Sequence, residues 1–85
     1  MENFYFTFGS WEKYPYPNGY VVVKAENRGE AIKAFRYRYP DVTEGLVNCA
    51  SIYSENDWQR VSHWYENKLP SDVLVSKTAD AEYER

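Results

Sequence analysis

Phe4-Tyr5-Phe6-Thr7-Phe8-Gly9 alternates phenylalanine with β-favouring residues and closes on a glycine. Side chains along a strand project to opposite faces with a period of two, so Phe4, Phe6 and Phe8 share one face and Tyr5 and Thr7 the other. A face made of phenylalanine has to be covered by something large, and helices later in the chain are the natural cover. The β-branched run Tyr20-Val21-Val22-Val23-Lys24-Ala25 is most simply a second strand returning antiparallel to the first. Between them, Pro15 and Pro17 exclude a helix or a regular central strand, and Asn18-Gly19 is a turn signal. That stiffened connection carries Trp11, Tyr14 and Tyr16.

Downstream, Asn27 followed three residues later by Glu30 predicts a capped helix over about 28–39 that stops before Pro40. Ala31, Ala34, Phe35 and Arg38 fall at i, i+3, i+4 and i+7, with Ile32 and Tyr39 extending the stripe. After a polar turn at 41–45, the stretch 46–53 predicts a third strand. Ser54, with Asp57 behind it, predicts a second helix that carries Trp58, Val61, Trp64 and Tyr65 and ends near Lys68 before Pro70. Residues 72–76 form a possible fourth strand, and the charged stretch 78–85 is expected to fray. The expected architecture is a single α+β domain over 1–85 in the order ββαβα(β). Its sheet is mainly antiparallel and both helices pack on one face.

A chain of 85 residues buries only about 60–65% of its unfolded surface, so every large aromatic bears on stability. Nine tyrosines, four phenylalanines and three tryptophans exceed what one small core can hide, and surface tyrosine and tryptophan favour recognition. Ten basic against thirteen acidic side chains give a net charge of −3, which disfavours non-specific binding to nucleic-acid phosphates. A single cysteine leaves no internal disulfide, and one cysteine with one histidine does not make a zinc site. No apolar run reaches the ~18–20 residues of a membrane span, and no signal-peptide pattern opens the chain. The expected compartment is the cytoplasm, with no membrane association.

Four groups of residues are candidates for function. The aromatic loop offers Trp11, Tyr14 and Tyr16 as anchors for a partner, with Glu12 and Lys13 setting orientation and Tyr16 expected to stand outside the core. Its competing role is to fold back over the sheet and complete a small core. Lys33, Arg36, Tyr37 and Arg38 have the composition of a single-strand nucleic-acid surface, yet consecutive helical side chains diverge by ~100° and do not form one stripe. Cys49 and His63 would be a thiol and its base, but an apolar strand usually holds an inert cysteine. The carboxylates Glu12, Glu26, Glu30, Asp41, Glu44, Glu55, Asp57, Glu66 and Asp72 could imitate a nucleic-acid backbone if they gathered in space. Glu30, Glu55 and Asp57 have the simpler role of favouring helix N-termini. No phosphate loop, catalytic triad order or metal spacing is present, so no cofactor, metal or catalytic residue is expected and an enzyme is the poorest class.

The opening Phe4–Gly9, the strand Gly19-Tyr20-Val21-Val22-Val23, Glu30-Ala31 leading to Phe35–Pro40, and Asn48-Cys49-Ala50-Ser51-Ile52-Tyr53-Ser54 together resemble small proteins from prophages and mobile elements of Gram-positive bacteria. The resemblance covers roughly residues 4–58 and carries no catalytic residues. It implies an accessory protein that binds host machinery stoichiometrically in the host cytoplasm, such as an inhibitor of a CRISPR-Cas effector or another defence component. The alternative is a nucleic-acid-binding accessory protein that uses the 33–39 helix. A chain this rich in tyrosine could also pair with itself as a homodimer.

Overall fold

The structure is a computed structural model and describes residues 1–76; the tail expected at 78–85 lies outside the described residues. Strands β1 (Glu2–Thr7), β2 (Tyr20–Ala25), β3 (Ser51–Tyr53) and β4 (Asp72–Val75) form one sheet in the order β3-β1-β2-β4. β1 pairs antiparallel with both β2 and β3, while β4 joins β2 in parallel. Helices α1 (Arg28–Arg38) and α2 (Glu55–Val61) complete the α+β arrangement, with a 3₁₀ turn over Ser62–Tyr65 after α2.

Phe4 and Phe6 stand opposite Val23 and Val21 in the β1–β2 ladder, and this face is covered by α1 through Ala31, Ala34 and Phe35. Phe35 stacks on Phe6 with ring centroids 4.3 Å apart. The alanines let α1 lie close enough for that stack. α1 begins where the sequence indicates: Asn27 Oδ1 accepts a 2.9 Å hydrogen bond from the Glu30 amide.

The second helix differs in position from its expectation. α2 covers the opposite face of the sheet, where Tyr5, Val22 and Tyr20 are buried against Trp58. Tyr5 and Trp58 stack in parallel at 4.3 Å, and Tyr20 and Tyr65 close around the indole at 4.9 and 5.2 Å. The physical reason lies in the amphipathic character of tyrosine. The Tyr5 ring is buried while its hydroxyl donates to Glu55 Oε1 at 3.0 Å, and the Tyr20 hydroxyl donates to the Lys68 carbonyl at 3.2 Å. Both faces of the β1–β2 pair are therefore covered, one by phenylalanine and valine, the other by tyrosine and tryptophan.

Two element boundaries also move. Helical winding ends earlier than Lys68, because the 3₁₀ turn directs Tyr65 onto Tyr20 and Trp58 and Asn67 adopts a left-handed φ of 69°. The third strand is shorter than 46–53. Leu46 to Ala50 stay in a loop held by the Leu46 amide on Thr43 O and the Cys49 amide on Val47 O, with Gly45 at φ 85°. Val47 and Cys49 pack against the phenylalanine core from that loop and leave only Ser51–Tyr53 to pair with β1. Among the described residues no helix is long and apolar enough to cross a membrane.

Candidate functional site: a cleft beside the edge strand

The β1–β2 connection returns over the phenylalanine face. The Gly19 amide bonds to Tyr16 O at 2.9 Å across Pro17 and Asn18, and Asn18 has φ 65°, the arrangement of a type II turn. Gly19 is needed there for space: an added Cβ would lie 2.8 Å from Ser71 Oγ and 3.2 Å from Tyr16 O. The turn fixes Tyr14 and Tyr16 against Phe8, at 5.7 and 6.0 Å. Trp11 meets Tyr14 edge to face at 5.0 Å and remains 45% exposed.

Tyr16 is the clear departure from expectation within this loop. It is half-buried, packs on the core and joins a polar chain instead of standing outside. The Tyr39 hydroxyl donates to Asp72 Oδ2 at 2.5 Å, so the 2.9 Å contact between the two tyrosine hydroxyls is a donation from Tyr16 to Tyr39. Burial first, and then the Asp72 carboxylate, hold the Tyr39 hydroxyl well above the ordinary tyrosine range. This chain ties the aromatic loop, the end of α1 and the start of β4 together.

Trp11 and Tyr14 instead line a cleft of about 410 Å³ that also takes in Arg28 from the start of α1, the α1–β3 loop, and Ser51 and Ile52 of β3. Two further large apolar side chains at this cleft are exposed, Val42 at 57% and Leu46 at 63%. Glu12 and Lys13 are exposed beside it without lining it. The anchors expected from sequence are thus divided, with Trp11 and Tyr14 at the cleft and Tyr16 in the scaffold. Sequence reasoning missed Arg28, Val42, Leu46 and Asn48. Leu46 and Asn48 fall within the stretch 46–53 expected to be a strand, and none of the four sits near Trp11 in sequence.

Among the described residues Arg28 is the one charged side chain lining the cleft, and it forms no ion pair or hydrogen bond with any of them. Asn48 retains 8% exposure, and its Oδ1 has no donor among the described residues. Its Nδ2 makes only a 3.5 Å contact with Pro40 O. Burial pushes the Cys49 thiol up to about 11, with Arg28 opposing weakly, so the cleft presents a protonated thiol at neutral pH. His63 belongs to the 3₁₀ turn on the tyrosine side, whereas Cys49 packs on the phenylalanine side, so the two do not meet.

The helix 28–38 presents a partly neutralised cationic surface. Arg36 Nε bonds to Asp41 at 3.0 Å and Arg38 lies 3.6 Å from Asp72, while Tyr37 is exposed and Lys33 lies on the outer side of the helix. The carboxylates are dispersed, with Asp41, Glu55 and Asp72 all engaged in the scaffold. Among the described residues no group of three or more histidine, cysteine, aspartate or glutamate side chains could hold a metal ion. No protein-family model matches this chain, and no curated protein or solved structure matches it.

Proposed function

We propose that this protein is a stoichiometric binding module that docks on a host protein through the cleft between the aromatic loop and β3. The observation that carries this reading is the convergence of Trp11, Val42 and Leu46. Three large apolar side chains from two segments distant in sequence, each exposed, border one concave surface. Apolar groups gathered at a cleft mark a binding site far more than the same groups scattered singly. Trp11 has the properties of an interface anchor: a large ring, held by Tyr14 in a fixed orientation, with one side open.

The biological setting follows from the resemblance to prophage and mobile-element proteins. In that setting the partner is a component of host machinery in the cytoplasm, such as a CRISPR-Cas effector, and the protein acts as an inhibitor by occupying its surface. Nucleic-acid binding through the 33–39 helix has less support, because Arg36 and Arg38 each already face a carboxylate.

The test is affinity capture from a nuclease-treated host lysate, with wild type beside Trp11→Ala and Leu46→Ala baits whose folding is checked by circular dichroism. The expected result is one protein retained by wild type and lost from both variants, with each substitution weakening binding by about 2 kcal/mol. Equal retention by all three baits refutes the cleft as the interface. Retention that disappears on nuclease treatment transfers the proposal to nucleic acid.

A further inference from the structure

The chemistry of the cleft specifies the kind of segment it takes. β3 is an edge of the sheet, and among the described residues no strand pairs with its outer side. Ser51 and Ile52 of β3 form part of the cleft wall, so a chain laid along that edge would send alternate side chains into the cleft. The wall they meet is mixed: Val42, Leu46, Val47 and Ile52 give it apolar surface, and Thr43, Asn48 and Ser51 give it polar surface. Arg28 adds to this wall a guanidinium that has no carboxylate of its own among the described residues. An unpartnered cation selects a carboxylate, and guanidinium favours one through its planar fork of donors. Asn48 supplies the complementary polar group. Its Oδ1 lacks a donor, and rotating the amide to present that oxygen gives up only the long contact to Pro40.

Resting on the protein-binding reading above, we propose that the cleft binds an extended peptide segment of its partner in which a glutamate or aspartate side chain alternates with bulky apolar residues. The carboxylate pairs with Arg28, a flanking apolar side chain enters between Val42, Leu46 and Ile52, and a peptide N–H of the segment donates to Asn48 Oδ1. Trp11 closes over the segment from the other side.

The test is a ¹⁵N NMR titration of the full chain with an acetylated, amidated Gly-Leu-Glu-Leu-Gly pentapeptide and its Gly-Leu-Gln-Leu-Gly counterpart, up to about 5 mM. Shift changes are expected at the Trp11 indole, the Asn48 side-chain amide and residues 42–52. The glutamate peptide should bind roughly fivefold tighter, equivalent to about 1 kcal/mol at 25 °C. Arg28→Gln, an exposed substitution at the first turn of α1, should remove that preference, so that the two peptides bind the variant with equal affinity. Equal affinity of the two peptides at the cleft overturns the acidic specificity and leaves the protein-binding cleft standing. Absence of shifts at the cleft with either peptide overturns both. Cleft shifts that grow with protein concentration before peptide is added place a second copy there and also overturn it.

Discussion

Trp58→Ala is the substitution that most directly probes the two-faced sheet. The indole is 9% exposed and touches Tyr5, Tyr20 and Tyr65 at 4.3, 4.9 and 5.2 Å. Truncating a buried aromatic to alanine costs about 3–5 kcal/mol through lost transfer energy and the cavity left behind. Each aromatic pair contributes about 0.5–1.5 kcal/mol within that sum. A chain of this length has a total stability of roughly 4–13 kcal/mol, so the substitution removes about a quarter of it at the high end of that range and nearly all of it at the low end. Trp58→Phe retains one ring against Tyr5 and should lose about 1–2 kcal/mol, giving a measurable transition if the alanine variant does not fold. Urea unfolding read by far-UV circular dichroism supplies both midpoints, with an unchanged slope indicating that the difference is one of stability. A loss below about 1 kcal/mol for Trp58→Ala would refute the claim that α2 closes a second core.

Other consequences are equally direct. Tyr39→Phe removes the donor to Asp72 and the acceptor for Tyr16, and should cost about 1–3 kcal/mol in urea unfolding; a change within about 0.5 kcal/mol would show the chain of hydroxyls to be incidental. Tyr5, Tyr20 and Tyr39 all have folded-state values raised, chiefly by burial, so their protonated forms are favoured in the native state. Stability should therefore be full below the ordinary tyrosine value near pH 10 and fall as pH rises through it, less steeply in Tyr39→Phe; stability that holds constant or rises there contradicts the burial of these hydroxyls. The half-buried Cys49 thiol, held protonated by the burial it does have, should react with iodoacetamide at pH 7.5 slower than a free cysteine by on the order of a hundredfold, and rapid alkylation would show the loop 42–50 to be open.

The elements were legible where local chemistry and packing agree. The Phe4–Phe8 alternation, the Asn27 cap and the stop at Pro40 each specify an element without help from the rest of the chain. The side taken by α2 was harder to see, because tyrosine at Tyr5 and Tyr20 fits a solvated face as readily as a buried one. A signal was nonetheless present in Val21-Val22-Val23: three consecutive apolar residues in a strand place valine on both faces, the mark of a sheet covered on each side. Leu46 and Val47 have strand propensity, but Val47 turns inward to the phenylalanine core and the loop diverges from β1, so packing overrides propensity. The cleft was not legible at all. Trp11, Arg28, Leu46 and Ile52 have no sequence spacing that announces a site, and only the fold brings them around one space.

Hydrogen exchange of the full chain, free and bound to the host protein captured by the wild type, tests the cleft as the interface most directly. Slowed exchange at residues 11–14 and 42–52 on binding is the predicted footprint. Protection confined to 33–39 or to 62–75, with the cleft exchanging as in the free protein, would contradict it.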